Sequence, residues 1–381
     1  MAKLLLINQS IGYLFRDIIA AAIASGHQVT IMAGSVSGDL PLEVKWIKGA
    51  TYRSQPAASR LITWLHFSLQ LGLFLIRRGH QYDRLLVVSN PPLAPILAFL
   101  ARRPYALLLY DLYPHVLRDM GHLSDSHWLY GLWKKLNQWT LQRASTVFTL
   151  SEGMAKELMM DLPLGSITRQ KVEIIPPWSN SQVIYPVPPE ANRFMIEAGL
   201  TDTFVVLYAG NMGLTHPLET LIEAARHLET SPHIQILMVG DGPKRLALEQ
   251  QAEGLENLKF LPFLPDPDFN QCLSAASVVV VALQAEAAAA SVSSKTYNAL
   301  AAGKPLLVMA GAEAETSRLV DRYGVGLRVE PSDSIALATA IERMASQPDY
   351  IERLGEKAQQ AAQNFTPQLA EQLVASWLKV L

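Results

Sequence analysis

The fold is decided by residues 204–243, FVVLYAGNMGLTHPLETLIEAARHLETSPHIQILMVGDGP. Two short, largely apolar runs, at 204–210 and 234–242, flank a segment with the spacing of a helix. Such runs are typical of parallel strands that are buried on both faces, and a helix between them makes a strand–helix–strand unit. The stretch therefore predicts a doubly wound α/β domain.

The same pattern extends in both directions along the chain. Three apolar runs follow the stretch and five precede it: LKFLPFL (258–264), SVVVVAL (277–283), KPLLVMA (304–310), KLLLIN (3–8), HQVTIMAG (27–34), RLLVVS (84–89), YALLLYD (105–111) and STVFTLS (145–151). Between the halves lies a proline-rich segment without helical spacing, residues 172–192, which we interpret as a linker. The prediction is two Rossmann-like domains, residues 1–177 and 178–364, followed by an amphipathic helix at 365–381.

Composition limits the class of protein. The 381 residues are 50% apolar and 17% charged, which suits two packed domains and excludes a disordered chain. The single cysteine, Cys272, excludes an internal disulfide, and its apolar surroundings predict a buried structural thiol. The first residues read as a strand without signal-peptide features, so we expect a cytoplasmic protein.

Charge is distributed unevenly between the halves. Residues 1–177 hold 18 Lys and Arg against 11 Asp and Glu, a net charge of +7, whereas residues 178–381 hold 14 against 23, a net of −9. The basic residues lack the patterns of nucleic-acid-binding modules. An anionic membrane surface is therefore the partner that we expect for the first half.

One segment of the first half is apolar nearly all round: residues 60–79, RLITWLHFSLQLGLFLIRRG, with arginines at both ends. A helix buried against the first sheet is one interpretation. A helix in the membrane interface, with its arginines reaching the head groups, is another. A true span is disfavoured because the apolar part is short and is interrupted by His66, Ser68 and Gln70.

Two segments of the second half are candidates for an anion site. The YAGNMG turn places Gly210, Asn211 and Gly213 between a strand and a helix, where backbone N–H groups can approach a phosphate. At the second such turn, VGDGP at 239–243, a ligand contact by Asp241 and Gly242 is the alternative, and a tight turn is the favoured interpretation.

The third candidate segment, SVSSKTYNALAAGKPLL at 291–307, begins a helix with serines and a lysine. A predicted cradle for a diphosphate is formed by the hydroxyls of Ser291, Ser293 and Ser294, the free backbone N–H groups around Lys295, and the ammonium of Lys295. An ordinary N-cap serine beside a solvated lysine is the alternative.

In the first half, polar residues follow two apolar runs. Asn90 follows the run at 84–89, and Asp111 and His115 follow the run at 105–109. Sites form at the carboxyl ends of such strands, although Asp111 is also a plausible helix cap and His115 a plausible surface residue. The sequence contains no zinc-spaced His and Cys set, no Walker loop and no nucleophile elbow, so no metal site is predicted.

The ordered set of motifs resembles the family 4 glycosyltransferases of the GT-B fold, and it is particularly similar to a subgroup that makes bacterial surface polysaccharides and lipid-linked sugars. The resemblance rests on SGHQVTIMAG, NPP, YDLYP, LSEGMAKEL, IIPPWSN, GNMG, VGDGP and SKTYNALAAGKPLL, which follow in the family's order over nearly the whole chain. It implies two Rossmann-like domains facing across a cleft, with the final helix crossing back to the first.

The resemblance further implies a retaining transfer from a nucleoside-diphosphate sugar, UDP- or GDP-linked, without a required metal or other cofactor. The donor would lie on the second domain and a glycan or lipid-linked acceptor on the first, at the inner face of the cytoplasmic membrane. In this interpretation Lys295 supports departure of the diphosphate, Asn298 binds the ribose, and the backbone near Phe263 and Leu264 receives the base. Asp111 orients the sugar or acceptor, with Asn90 and His115 on the acceptor side.

The chain departs from the family at several positions. The family's paired glutamates fall on Ala290 and Asn298, its arginine and lysine after the phosphate-loop glycine on Asn211 and His216, and its first-domain histidine on Tyr110. Glu286 is the nearest acid to the sugar position. These losses leave open a lapsed glycosyltransferase that acts as a binding subunit. A GT-B sugar-nucleotide epimerase is the other alternative, but it would need carboxylates around the sugar, and the acid-poor AAAASVSS stretch argues against it.

Overall fold

A computed structural model describes residues 1–53, 57–162, 171–284 and 292–379. The chain divides into two compact units, Met1–Pro177 with Pro367–Leu381, and Trp178–Thr366. The sequence analysis placed its boundaries after residues 177 and 364.

The first unit is built on a sheet of seven parallel strands in the order β5-β3-β1-β6-β7-β8-β9. The strands are β1 (Lys3–Ile7), β2 (Ser10–Ile11), β3 (Gln28–Ala33), β4 (Ser35–Val36), β5 (Lys45–Lys48), β6 (Arg84–Val88), β7 (Tyr105–Leu109), β8 (Val147–Thr149) and β9 (Val172–Ile174), of which β2 and β4 form a separate pair. The helices are α1 (Tyr13–Ala24), α2 (Ala57–Arg78), α3 (Ala94–Leu97), α4 (His115–Asp119), α5 (Trp128–Arg143) and α6 (Glu152–Asp161).

The five apolar runs of the first half became central strands, whereas both edge strands escaped the sequence analysis. Strand β5 has the sequence KWIK, and three of its four residues are exposed. Strand β9 lies inside the segment predicted to be linker, so that interpretation was wrong for Val172–Ile174. Edge strands are buried on fewer sides than central ones, and their sequences carry a weaker apolar signal.

Helix α2 covers most of residues 60–79, which the sequence left open between a buried helix and a helix in the membrane interface. One side is core, because Phe67, Leu71 and Leu75 are buried, and the Ala50 amide donates to the Gln70 side chain at 2.7 Å. The other side exposes six large apolar residues: Leu61, Ile62, Leu65, Leu69, Leu73 and Ile76. By length and composition alone, the stretch Ala58–Gln81 is sufficient to cross a membrane. The prediction of a buried helix is therefore right for one face only.

The second unit repeats the scheme with six parallel strands in the order β12-β11-β10-β13-β14-β15. They are β10 (Phe204–Ala209), β11 (Ile234–Val239), β12 (Leu258–Leu261), β13 (Val278–Ala282), β14 (Leu306–Met309) and β15 (Gly326–Val329). The helices are α7 (Arg193–Glu197), α8 (Glu219–His227), α9 (Arg245–Gln251), α10 (Asp266–Ala275), α11 (Lys295–Ala301), α12 (Glu315–Tyr323), α13 (Ser334–Ala345) and α14 (Pro348–Ala362). Both units are doubly wound, as predicted.

The strand orders locate one crevice in each unit. In the second unit the chain proceeds outward from β10 to β12 and then returns to the other side of β10 with β13. In the first unit the same reversal separates β1 from β6. Ligands of doubly wound sheets bind outside the carboxyl ends of the strands at such reversals.

The last helix, α15 (Gln368–Lys379), belongs to the first unit and packs against α1. Its Trp377 side chain is fully buried, and the Trp377 carbonyl accepts a hydrogen bond of 2.8 Å from Arg84. Ser376 donates to Glu173 at the edge of the same unit. The chain thus returns to the first unit after completing the second.

Candidate functional site

Two glycine turns meet at the carboxyl ends of β10 and β11. A Cβ on Gly240 would lie 2.0 Å from the Gly210 carbonyl oxygen, and one on Gly242 would lie 2.6 Å from the Met212 carbonyl oxygen. Gly210 and Gly240 also have φ angles of +133° and +134°, which side chains disfavour. The two turns that were singled out from the sequence therefore pack directly against each other. VGDGP forms a tight turn, as one interpretation of its sequence expected.

Lys295 reaches the first of these turns from the start of α11. A Cβ on Gly210 would lie 2.4 Å from the Lys295 Cε atom, so the absence of a side chain makes room for the lysine. The ammonium donates a 2.7 Å hydrogen bond to the Tyr208 hydroxyl and lies 4.1 Å from the centre of its ring. Burial lowers the pKa of Lys295 to about 7. The predicted diphosphate lysine is thus held at the crevice of the second unit.

Tyr208 is a residue of this site that the sequence analysis missed. Its hydroxyl accepts from Lys295 and donates to the Asn211 carbonyl at 2.6 Å, so it joins the lysine to the glycine turn. Tyr208 is fully buried and lies on the strand β10. In the sequence it is one more apolar strand residue, and only the position of its hydroxyl reveals the link.

His216 does not replace the missing family cation. Its Nδ1 atom accepts a 3.2 Å hydrogen bond from the Gly213 amide, and a Cβ on Gly213 would clash with the Asn211 side chain at 2.8 Å. Burial lowers the pKa of His216 to about 3, with contributions from the charges of Lys295 and Lys244. The imidazole of His216 is therefore neutral, and its hydrogen bond orients the Gly213 turn.

A second lysine near the turn is already paired. Lys244 donates to the His216 carbonyl at 2.8 Å and to the Glu219 carboxylate at 2.5 Å. Among the described residues, by contrast, Lys295 makes no ion pair. Lys295 is therefore the better placed of the two to meet an anionic ligand.

The serine cradle is only partly described. Ser291, Ala290 and Glu286 lie outside the described residues. The Thr296 and Tyr297 amides donate to the carbonyls of Ser293 and Ser294, so these two amides of the first helical turn already have partners. That finding corrects the expectation that the start of α11 offers a full set of free amides, while Ser294 itself is exposed.

The remaining predicted residues of the second unit lie on α11 and after β12. Asn298 is part-exposed and lies one turn beyond Lys295 on α11. Phe263 and Leu264 follow β12, and the Phe263 ring is exposed.

In the first unit, two predicted residues follow neighbouring strands. Asn90 comes after β6 and Asp111 after β7, and the Ser89 hydroxyl accepts the amides of Tyr110 and Asp111 at 3.0 and 3.3 Å. The Asn90 carbonyl accepts a 2.9 Å bond from the amide of Gln9, which follows β1. The first crevice is thus lined by the ends of β1, β6 and β7.

His115 lies beneath this crevice and not at its surface. It is buried, its Nε2 atom is 2.9 Å from the Asp161 carboxylate, and Asp161 also pairs with Lys134. Burial alone would raise the pKa of Asp161, but the hydrogen bonds from His115 and Lys134 outweigh it and lower that pKa. His115 and Asp111 line a common cavity of about 40 Å³. The surface interpretation of His115 was wrong, because its ring lies between Tyr130 of α5 and Asp161 of α6.

Two family models match the chain. A glycosyl transferase 4-like domain matches residues 11–178, and a model described as glycosyl transferases group 1 matches residues 203–347. Together they span both α/β units. The chain therefore belongs to the family 4 type of glycosyltransferases with the GT-B fold, and it is a sugar-transferring enzyme.

Two bacterial relatives are named as glycosyltransferases, and one of them is named for the biosynthesis of a polysaccharide. The probable glycosyltransferase WbjE of Pseudomonas aeruginosa is 25% identical over 355 residues, which cover 88% of this chain and 86% of WbjE. The putative colanic acid biosynthesis glycosyl transferase WcaI of Escherichia coli K12 is 28% identical over 215 residues, 55% of this chain and 52% of WcaI. The chain is thus related to polysaccharide-biosynthesis enzymes, which supports a transferase over an inactive subunit or an epimerase.

Solved structures confirm the fold. Anabaena HepE in complex with UDP superimposes with a TM-score of 0.74 at 20% identity, covering 100% of both chains. WaaG, a glycosyltransferase of lipopolysaccharide biosynthesis, gives 0.70 at 18% identity, covering 97% of this chain and 99% of WaaG. At these identities the likeness establishes the GT-B architecture alone.

Proposed function

We propose that this enzyme is a retaining glycosyltransferase that moves a sugar from a UDP- or GDP-sugar to a glycan or lipid-linked acceptor. The observation that carries the proposal is the Lys295 ammonium held over Tyr208 beside Gly210, at the crevice of the second unit. The structures of HepE with UDP and with UDP-glucose support a nucleotide-sugar donor.

In this proposal the cradle stabilises the leaving group. When the bond between the sugar and the diphosphate breaks, the electron pair remains on the diphosphate, and a positioned cation lowers the barrier. Lys295 supplies the charge, while the turn of Gly210, Asn211 and Gly213 approaches the phosphate and Ser294 adds a hydroxyl. Because His216 is neutral and Lys244 is paired, the proposal assigns this electrostatic task to Lys295.

The other roles follow the family pattern residue by residue. Asn298 binds the ribose, and the backbone near Phe263 and Leu264 receives the base. In the first unit, Asp111 orients the sugar or the acceptor, and Asn90 lies on the acceptor side. The buried position of His115 supports a structural contribution to the same side.

No metal ion or other cofactor is required in this proposal, since the Lys295 ammonium neutralises part of the negative charge of the diphosphate. Turnover should therefore be unchanged by EDTA. A loss of activity that added magnesium restores would contradict this part of the proposal.

We further propose that the enzyme works in the cytoplasm, peripherally on the inner face of the membrane. The exposed apolar side of α2 and the net charge of the first half support this placement.

The decisive experiment compares Lys295→Ala with Lys304→Ala. Lys304 is a matched control because burial lowers its pKa to about 8, it is in the same unit, and it lies at the opposite, amino-terminal end of β14. A thermal-shift screen of UDP- and GDP-sugars first identifies the donor. Turnover with that donor should fall by about 100-fold or more in Lys295→Ala and stay near normal in Lys304→Ala. Equal turnover in the two variants would exclude the proposed cradle.

A further inference from the structure

A pocket of about 550 Å³ lies within the second unit. Its walls come from the proline-rich segment at 182–185, from α7, and from the loop before α10 together with the first turns of that helix. Small-molecule sites have volumes of about 300–1,000 Å³. Of the described residues that line the pocket, only Leu264 also belongs to the proposed donor site. The pocket is therefore a candidate for a second ligand.

Hydrogen bonds fix the walls of this pocket. The Tyr185 amide donates to the side-chain oxygen of Asn270 at 3.1 Å, and the Arg193 amide donates to the side-chain oxygen of Gln271 at 3.0 Å. Asn192, the N-cap of α7, donates from its side chain to the Gln271 carbonyl at 2.9 Å. The proline-rich segment and α7 are thus held against α10, and the pocket is formed before any ligand arrives.

Asn270 supplies an unpaired hydrogen-bond donor to the pocket. The residue is 2% exposed, and its side-chain oxygen accepts the Tyr185 amide. Because that oxygen accepts from a backbone N–H, the other polar atom is the Nδ2 amide, which only donates. Within the described ranges Nδ2 has no hydrogen-bond partner. A buried donor without a partner costs free energy, so a ligand oxygen that accepts from Nδ2 is stabilised.

Three charged side chains line the same pocket without pairing. Arg193 and Glu197 begin and end α7, and Asp268 lies in the first turn of α10. None of the three side chains forms an ion pair or hydrogen bond with any residue that the structure describes. One positive and two negative charges disfavour a diphosphate or another polyanion. A mixture of donors and acceptors instead suits hydroxyl groups, each of which donates one hydrogen bond and accepts two.

Aromatic rings supply the apolar part of the pocket. Tyr185 is 49% exposed, and Phe194 of α7 lines the pocket with it. The face of an aromatic ring carries partial negative charge, which attracts the C–H groups on one side of a sugar ring. An exposed ring face beside unpaired donors and acceptors is the chemistry that recognises an uncharged sugar.

We propose that this pocket binds an uncharged sugar ring at a site separate from the donor crevice. Tyr185 stacks on the ring, Asn270 and Arg193 donate to its oxygens, and the carboxylates of Asp268 and Glu197 accept from its hydroxyls. The inference goes beyond the proposed function, because the site requires neither a nucleotide nor a transfer reaction.

The test is titration of the full chain by saturation-transfer difference NMR with six uncharged probes. The probes are the methyl glycosides of glucose, galactose and mannose, and the tetrasaccharides maltotetraose, cellotetraose and mannotetraose. The pocket variants are Tyr185→Ala and Asp268→Ala, whose side chains are exposed, and the control is Trp128→Ala, an exposed aromatic residue of the first unit. We expect a probe to bind, each pocket variant to weaken its binding by about tenfold or more, and the control to bind normally.

The same titrations identify the source of the sugar. Tighter binding of a tetrasaccharide than of its methyl glycoside would support a glycan chain as the ligand, and equal affinities would support a free sugar. The uronic acid counterpart of a probe that binds should bind about threefold more weakly or worse, because the pocket has a net negative charge. Equal or tighter binding of the uronic acid would overturn the assignment of an uncharged ligand.

The inference fails if none of the six probes binds, or if Trp128→Ala weakens binding as much as Tyr185→Ala. Displacement of a bound probe by UDP or GDP would also overturn it, because the probe would then lie in the donor crevice. Thermal shift with nucleotide sugars separates the two proposals. A protein that binds a nucleotide sugar but no probe loses only the present inference, and one that binds a probe but no nucleotide sugar loses only the proposed function.

Discussion

At the scale of single residues, the second-unit site depends on where one hydroxyl lies. The Tyr208 hydroxyl accepts from Lys295 and donates to the Asn211 carbonyl, so it couples the lysine to the glycine turn. Removing a buried hydroxyl that bonds to two partners costs more free energy than the two hydrogen bonds contribute, because both partners stay buried without a hydrogen bond.

Tyr208→Phe should keep the ring and remove this coupling. We expect kcat/KM for the donor to fall by about tenfold or more, which corresponds to roughly 1–3 kcal/mol for partners left unsatisfied. Tyr105→Phe is the matched control, because Tyr105 donates a buried 2.7 Å bond to the Thr140 carbonyl in the other unit. If both variants reduce stability and only Tyr208→Phe reduces kcat/KM, the coupling role is supported; equal effects on kcat/KM would refute it.

The pKa of Lys295 gives the site a predictable pH dependence. Burial lowers that pKa to about 7 in the free enzyme, and an anionic ligand favours the ammonium form and raises it. Donor affinity should therefore be greatest below pH about 7 and decline as the pH rises above it, with proton uptake on binding. Calorimetry with an intact nucleotide sugar, whose diphosphate does not titrate in this range, measures both effects. Lys295→Arg should make the profile flat, and an unchanged slope in that variant would assign the titration elsewhere.

At the scale of elements, the two glycine turns act as one unit. Gly240→Ala would place a Cβ 2.0 Å from the Gly210 carbonyl oxygen at a φ of +134°. The turn after β11 must then shift, and it displaces the Gly210 turn against which Lys295 packs. We expect a loss of at least about 2 kcal/mol in the free energy of unfolding, together with weaker donor binding.

The control for this change is Gly131→Ala in α5, where nothing lies within 4 Å of the added Cβ. Alanine there should be neutral or stabilise the helix by up to about 1 kcal/mol. Urea unfolding of both variants measures the contrast, and a Gly240→Ala protein as stable as Gly131→Ala would show that the turns move independently.

At the scale of the whole molecule, the final helix makes the first unit discontinuous in sequence. Residues Pro367–Leu381 complete a unit that begins at Met1, and the fully buried Trp377 anchors them. Each unit has its own sheet and core, so we expect unfolding in two transitions.

Trp377→Ala should lower the midpoint temperature of only one of these two unfolding transitions. The loss of a fully buried tryptophan costs roughly 3–5 kcal/mol and acts on the first unit. A nucleotide sugar should raise the midpoint temperature of only the other transition, which belongs to Trp178–Thr366. Scanning calorimetry with and without the donor checks both statements. If the substitution and the ligand shift the same transition, the donor would have to be assigned to the first unit.

The sequence alone determined the two doubly wound units, since central parallel strands are buried on both faces and appear as unbroken apolar runs. It also identified the glycine turns and Lys295, because their residue types mark strand ends. Only the tertiary structure decided which neighbours act on these residues. A hydroxyl on a buried strand holds Lys295, and a neutral ring orients Gly213. In the first unit, His115 is buried against Tyr130 of α5 and Asp161 of α6. Likewise, only packing shows which side of α2 is buried and which side exposes its apolar residues. Distances between residues far apart in the chain are set by the fold, and sequence spacing does not encode them.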